Sequence, residues 1–256
     1  MAKTEKVRVG AVADLHYTST SQGSLKALFE RACQAVDVLL LGGDLTDLGR
    51  PEEAKVLAAD LAACGRLPVV AVLGNHDFEA GKQDEVAAVL REAGVTVLDG
   101  DACEVRGIGI GGVKGFLGGF GRGTLEPWGE EGVKRLVNEA VSEALKLERA
   151  LSRLRTRQRI ALMHYSPIRE TVVGEPEEIY PFMGCSRLEE PLNRYPVQAV
   201  FHGHAHRGAA QGRTSNGTPV YNVAVSLLRR EMKDGVPLKV LEVAVTALEE
   251  EPVAQR

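Results

Sequence analysis

Five short apolar runs recur along the chain, and each ends at a glycine or a polar residue. They cover residues 7–13, 36–41, 68–73, 160–163 and 197–201. Continuous apolar runs of this length are typical of strands that are buried on both faces. Helical patterns separate the first three runs, over residues 24–35, 52–63 and 84–93. Strands that alternate with helices predict a parallel β-sheet with right-handed crossovers.

After residue 94 the pattern changes to short strands joined by turns. These candidate strands cover residues 95–98, 103–106, 108–113, 208–213, 219–225 and 237–245. They predict a second, more antiparallel set of strands. A long helix is expected over residues 130–157, where apolar residues repeat at steps of four and three. The repeat favours a helix that packs one face on a sheet, and the alternative is a coiled-coil seam or dimer face.

Composition narrows the class of protein. The chain has 256 residues, 44% of them hydrophobic, which suits one domain over residues 1–256. A net charge of −4 offers no basic surface for nucleic acid or an anionic membrane. The four cysteines lie far apart in the sequence and are expected to be free thiols in a reducing compartment. Neither a signal peptide nor an apolar run of 18 residues is evident, so the predicted location is cytoplasmic.

Side chains that commonly bind metals follow the five apolar runs. The candidate ligands are Asp14, His16, Asp44, Asn75, His164, His204 and His206. Ligands of open α/β sheets bind beyond the carboxyl ends of the strands, so these side chains are expected at one edge. Imidazole and carboxylate without thiolate suit Mn, Fe or Zn. The sequence therefore predicts two divalent metal ions, with Mn²⁺ expected and Fe or Zn as alternatives.

Five motifs in fixed order resemble those of the calcineurin-like metallophosphoesterases, and the resemblance spans residues 14–206. The motifs are Asp14-Leu15-His16, Gly43-Asp44, Gly74-Asn75-His76-Asp77, His164 and Gly203-His204-Ala205-His206. The resemblance implies an α/β fold, a four-layer αββα sandwich in which helices flank two mixed β-sheets. It also implies hydrolysis of a phosphoester through in-line attack by a metal-bridging hydroxide.

The resemblance further assigns roles within the site. One metal would be held by Asp14, His16, Asp44 and His206, and the other by Asp44, Asn75, His164 and His204. His76 would be catalytic and protonate the leaving oxygen, with Asp77 orienting it. His202 lies outside the family pattern and is expected either to support the ligands or to be structural.

Two features bear on the substrate: one residue that differs from the protein phosphatases of the superfamily, and one loop. Protein phosphatases of the superfamily carry an arginine where this chain has Leu48. The closer resemblance is to bacterial small-molecule phosphoesterases, including cyclic-nucleotide phosphodiesterase-like members. Residues 165–185 are a candidate lid, and aromatic residues within it could stack on a base. These are Tyr165, Tyr180 and Phe182.

The expected function is therefore a dinuclear-metal phosphodiesterase acting on a small, nucleotide-like substrate. The alternatives are a phosphomonoesterase of the same fold and a non-catalytic metal-binding scaffold. A small-molecule phosphoester is the expected partner, with no nucleic acid and no membrane, and the oligomeric state is left open.

Overall fold

The structure is a computed structural model that describes residues 4–232 and 235–246. Within these ranges the first sheet contains five strands in the order β11-β1-β2-β3-β4. Their bounds are β1 Thr4–Val12, β2 Val38–Gly42, β3 Val69–Val72, β4 Thr96–Val97 and β11 Lys239–Thr246. Strands β1 to β4 run parallel, whereas β11 pairs antiparallel with β1. Three helices connect the parallel strands, namely α1 Lys26–Ala35, α2 Pro51–Leu61 and α3 Gln83–Glu92.

The second sheet contains six described strands in the order β5-β6-β7-β8-β10-β9. Their bounds are β5 Asp101–Val105, β6 Ile108–Val113, β7 Gln158–Met163, β8 Ala199–His202, β9 Gln211–Arg213 and β10 Pro219–Asn222. The four inner strands are parallel, and both edge strands pair antiparallel with their neighbours. Four helices belong to this half of the chain: α4 Glu131–Arg153, α5 Tyr180–Met183, α6 Glu189–Arg194 and α7 Val225–Glu231.

The two sheets pack face to face, with helices on their outer faces. Strand β7 shows why both of its faces are apolar. Ile160 and Leu162 belong to the core shared with the first sheet, whereas Ala161 and Met163 pack in a second core with α4 and α6. Because side chains alternate across a strand, an unbroken apolar run fills both cores at once. The predicted four-layer α/β sandwich with two mixed sheets is thus confirmed.

Two strands pair differently from the expectation. Residues 95–98 and 237–245 were assigned to the second set of strands, but β4 joins β3 and β11 joins β1 in the first sheet. Both assignments were wrong because composition identifies a strand without identifying its neighbour. Strand β11 follows every strand of the second sheet in the sequence, yet it forms the edge of the first sheet next to β1.

The long helix α4 packs its apolar stripe on the second sheet, as the sequence favoured. Val137, Ala140, Leu147 and Leu151 are buried, so this face is not free for a coiled-coil partner. The helix ends at Arg153, earlier than predicted, because Leu154 adopts an extended conformation.

Three expectations at the level of the whole chain have different outcomes. All four cysteines are free. No described helix is both long and apolar enough to cross a bilayer. The assignment of residues 1–256 to one domain stays a prediction, and residues 1–3, 233–234 and 247–256 lie outside the described part.

Candidate metal centre

The carboxyl ends of β1, β2, β3, β7 and β8 meet at one edge of the packed sheets. Backbone hydrogen bonds join the loops that follow these strands. The Asp14 amide donates to the Gly43 carbonyl at 3.0 Å, and the Gly203 amide donates to the His164 carbonyl at 3.1 Å. Three strands of the first sheet and two of the second therefore bring the predicted ligands together.

The backbone is strained at this edge. Asp14, His16, Asp44 and His204 have φ angles of 59°, 46°, 48° and 69°, in the left-handed region that disfavours side chains with a Cβ. The one other described non-glycine residue with a positive φ is Arg106. Strained conformations persist where function requires them, and here four of five coincide with candidate ligands.

Two glycines permit the loops to approach so closely. A Cβ on Gly74 would overlap the Asp44 carboxylate, and a Cβ on Gly203 would overlap that of Asp14. Only a hydrogen fits at either position, which explains why the motifs place glycine directly before Asn75 and His204.

The predicted ligands form two neighbouring groups of donors. In the first, ligand atoms of Asp14, His16 and His206 lie within 4.8 Å of one another. In the second, the same holds for Asp44, His164 and His204. Asn75 belongs to the second group because its Oδ1 lies 3.0 Å from His164 Nε2.

The Asp44 carboxylate lies between the two groups. Its Oδ2 is 3.8 Å from His16 Nε2, and its Oδ1 is 3.3 Å from His164 Nε2. One oxygen therefore faces each group. This is the arrangement required of a carboxylate shared by two ions.

Hydrogen bonds behind the histidines orient their rings. His164 donates from Nδ1 to the Gly42 carbonyl at 2.9 Å, and His204 donates from Nε2 to the Phe182 carbonyl at 3.1 Å. His16 Nδ1 lies 3.3 Å from Asp47 Oδ1. Each ring thus keeps one nitrogen for the centre, the pattern found behind metal-binding histidines.

His16 supplies the sharpest test of whether metals fit. Its Nε2 is buried and has no hydrogen-bond partner among the described residues. An unsatisfied buried nitrogen is costly unless something binds it. This nitrogen faces Asp14, Asp44 and His206, and a divalent cation matches such a set of donors in its chemistry.

The charges at the centre also favour a bound cation. Asp14 and Asp44 are 2% and 1% exposed. Burial would raise the pKa of Asp44, but the charge of His164 and hydrogen bonds from His164 and His76 hold that pKa well below its usual range. Burial likewise opposes protonation of His164, yet the carboxylates of Asp44 and Asp14 raise its pKa to about 9. A cation bound by the same donors would replace that proton.

His76 lies beside both groups and is held from behind. Its Nδ1 donates to the Asp47 carbonyl at 2.7 Å, and its amide donates to Asp44 Oδ1 at 2.8 Å. Its ring meets that of His16 edge to face, with centroids 4.5 Å apart. Asp47 was absent from the expected site, although it contacts both His16 and His76 and completes a third set of close donors with them.

Asp77 corrects one expectation. It does not orient the His76 ring, because its carboxylate accepts hydrogen bonds elsewhere. The donors are the amides of Leu45, Thr46 and Gly74 and the Thr46 hydroxyl, at 2.6–3.2 Å. Asp77 therefore ties the loop after β2 to the loop after β3. Burial and the negative charge of Asp44 raise its pKa to about 6.

His202 is structural. Its Nδ1 donates to the Gly203 carbonyl at 2.8 Å, and its Nε2 lies 2.8 Å from the Thr171 hydroxyl. Burial lowers its pKa to about 4, so the ring is neutral. Both nitrogens are occupied, and His202 belongs to neither group of ligands.

The connection over residues 165–185 presents fewer aromatic faces than expected. Tyr165 and Tyr180 are buried, whereas Phe182 is 54% exposed. Tyr180 packs below the Arg169 guanidinium. Neither tyrosine is free to stack on a base, so the stacking role assigned to them is wrong. Residues 168–170 instead line an open groove of about 600 Å³ on the side of Phe120 and Arg213.

Comparisons with known proteins agree with this geometry. A family profile described as calcineurin-like phosphoesterase matches residues 7–208. No curated protein sequence matches significantly. Among solved structures, a phosphopantetheinyl hydrolase from Mycobacterium tuberculosis superposes with a TM-score of 0.64 at 17% identity, covering 91% of this chain and 95% of that one.

Two further structures share the fold. A protein from Thermus thermophilus superposes with a TM-score of 0.57 at 17% identity, covering 93% of this chain and 99% of that one. A purple acid phosphatase from yellow lupin seeds superposes with a TM-score of 0.57 at 14% identity, covering 88% of this chain and 44% of that one. At these identities the likeness concerns the fold alone.

Proposed function

Because the chain belongs to the calcineurin-like phosphoesterase family and is a metal-dependent phosphoesterase, we propose that it hydrolyses small, nucleotide-like phosphodiesters. The observation that carries the two-metal chemistry of the proposal is the Asp44 carboxylate, which faces two groups of N and O donors at once. A protein that kept this edge only for packing would not need two buried carboxylates, four strained residues and an unsatisfied imidazole nitrogen beside one another.

The proposed ligands follow from the two groups. Seven side chains would hold the ions, with Asp44 shared, and these are Asp14, His16, Asp44, Asn75, His164, His204 and His206. Mn²⁺ is the proposed metal, because imidazole, carboxylate and amide donors without thiolate suit it. When bound, a pair of divalent ions supplies Lewis acidity that activates water and neutralises phosphoryl oxygens.

His76 is the proposed general acid. Donation from Nδ1 to the Asp47 carbonyl fixes the ring and leaves Nε2 without a partner among the described residues. When protonated, His76 keeps its bond to Asp47 and can deliver the Nε2 proton to a departing alkoxide. Asp47 thereby positions the acid through its backbone, while its carboxylate lies beside His16.

The preference for a diester rests on Leu48. This residue follows Asp47 directly, is 41% exposed and carries no charge. An arginine there would help to bind the second negative charge of a phosphomonoester. A diester carries one charge and needs less compensation.

The test compares two chromogenic substrates on Mn²⁺-loaded protein. We expect kcat/KM for bis(p-nitrophenyl) phosphate to equal or exceed that for p-nitrophenyl phosphate. The variant Leu48→Arg should shift the ratio toward the monoester, whereas Leu48→Gln, which is polar but neutral, should not. A large preference of the wild-type protein for the monoester would support a phosphatase instead. Hydrolysis of neither ester would overturn the proposed substrate class.

A further inference from the structure

A lysine in the glycine-rich segment after β6 lies within a cluster of three aromatic rings. Lys114 Nζ is 4.7 Å from the ring centre of Phe116, 5.4 Å from that of Phe78 and 5.5 Å from that of Tyr165. The negative faces of aromatic rings attract an ammonium, so the three rings hold the Lys114 side chain in place without supplying a negative charge that would neutralise it. These rings come from three separate segments of the chain, so the cluster exists only in the folded protein.

The ammonium has spare hydrogen-bonding capacity. It donates to the Gly115 carbonyl at 2.8 Å, and no carboxylate of the described residues lies within 4.0 Å of it. An ammonium has three donors, so two of them lack a hydrogen-bond partner among the residues that the structure describes. Burial lowers the pKa of Lys114, and the charges of Glu143 and Glu139 oppose that shift. A partly buried cation without an ion pair is a favourable position for an anion.

Glu143 is the carboxylate whose charge acts most strongly on Lys114, but other donors occupy it. Its Oε2 accepts the Gly115 amide at 2.7 Å, and its Oε1 accepts Lys146 Nζ at 2.8 Å. Glu143 is fully buried on α4, so it anchors the segment that carries Lys114. The Lys114 carbonyl in turn accepts the amides of His164 and Tyr165, at 3.0 and 3.1 Å. The lysine is thus fixed to the strand end that bears a proposed ligand.

The cluster lies beside the proposed metal centre. The Tyr165 ring contacts both sides, since its centroid lies 5.5 Å from Lys114 Nζ and 4.4 Å from the centroid of the His204 ring. Phe78 follows His76 by two residues and is 37% exposed, so one ring of the cluster is both close in sequence to the general acid and accessible to solvent. An anionic group at Lys114 would therefore share the Tyr165 ring with the proposed ligand His204 as a neighbour.

We propose that Lys114 binds a second phosphate group of the substrate, distinct from the phosphoryl group that is cleaved. This inference rests on the proposed phosphodiesterase function and narrows its substrate class to phosphorylated diesters. Lys114 acts in binding and takes no part in bond cleavage, so its effect falls on KM.

The test uses a matched pair of substrates that release the same chromophore. One is thymidine 5′-(p-nitrophenyl phosphate), and the other carries an additional 3′-phosphate. We expect the 3′-phosphate to raise kcat/KM about ten- to a hundredfold in the wild-type protein, because one charged hydrogen-bonded contact is gained. Most of the gain should appear as a lower KM.

Variants locate the effect at Lys114. Lys114→Met keeps an unbranched side chain among the rings and removes the charge, so the ratio of the two kcat/KM values should fall to about one. Lys114→Arg should retain most of the ratio. Lys55→Met removes an exposed lysine on α2 and should leave the ratio as in the wild type. Calorimetric titration provides a measurement without turnover. Thymidine 3′,5′-bisphosphate should bind the wild-type protein more tightly than thymidine 5′-phosphate does, and Lys114→Met should remove the difference.

The outcomes separate this inference from the function on which it rests. Equal kcat/KM for the two substrates in the wild type would overturn the role of Lys114, and so would an equal loss on both in Lys114→Met. Failure of the wild-type protein to cleave even bis(p-nitrophenyl) phosphate would overturn the phosphodiesterase proposal itself.

Discussion

Replacing Asp44 with asparagine is expected to empty both metal positions and reduce hydrolysis to background. Asparagine keeps the shape of the side chain but loses the charge that faces His16 on one side and His164 on the other. A ligand specific to one ion would, by contrast, leave the second ion in place. Elemental analysis of the variant after reconstitution with Mn²⁺ measures the result directly.

The control for Asp44→Asn is Asp37→Asn. Asp37 directly precedes β2, pairs with Arg8 at 2.9 Å and belongs to neither donor group. That variant should bind as much metal as the wild type. Retention of both ions by Asp44→Asn, with a native circular dichroism spectrum, would show that Asp44 is not the shared ligand.

Replacing His76 with alanine should leave both ions bound and slow turnover by about 10²–10⁴-fold, the usual contribution of general acid–base catalysis. The His76 ring lies beside the two groups that share Asp44 but belongs to neither, and its Nδ1 is committed to the Asp47 carbonyl. Metal content and kcat are measured on the same preparation. Loss of metal from His76→Ala would make His76 a ligand.

The leaving group provides a second readout for His76. Nitrophenolate departs with little protonation, whereas an alkoxide needs a proton. The deficit of His76→Ala should therefore be smaller for bis(p-nitrophenyl) phosphate than for a dinucleotide, whose leaving oxygen is an alkoxide. An identical deficit on both substrates would argue against an acid role.

Strand ends and their polar residues were predictable because the relevant signal is local. The run that ends before Asp14 and the run that ends before His164 are buried on both faces, and such runs remain apolar throughout. Spacing then placed seven candidate ligands at strand ends, and the structure brings all seven to one edge. Their roles as ligands remain a proposal.

Features that depend on the backbone or on distant segments could not be predicted. Asp77 binds amides, and His76 is held by the Asp47 carbonyl, but main-chain donors and acceptors leave no mark on the sequence. Tyr180 is an aromatic residue of the type that stacks on a base, but the fold buries it. The aromatic cluster around Lys114 joins segments that lie far apart in the chain, and the spacing of its rings carries no periodic signal.

The central claim is that this edge of the sandwich binds two divalent ions that are both needed for hydrolysis. The most direct measurement is a titration of metal-free protein with Mn²⁺, with bound metal and hydrolysis of bis(p-nitrophenyl) phosphate followed together. Activity should rise until about two ions are bound per chain and then remain constant. Full activity with one ion per chain, or two ions bound without hydrolysis, would contradict the claim.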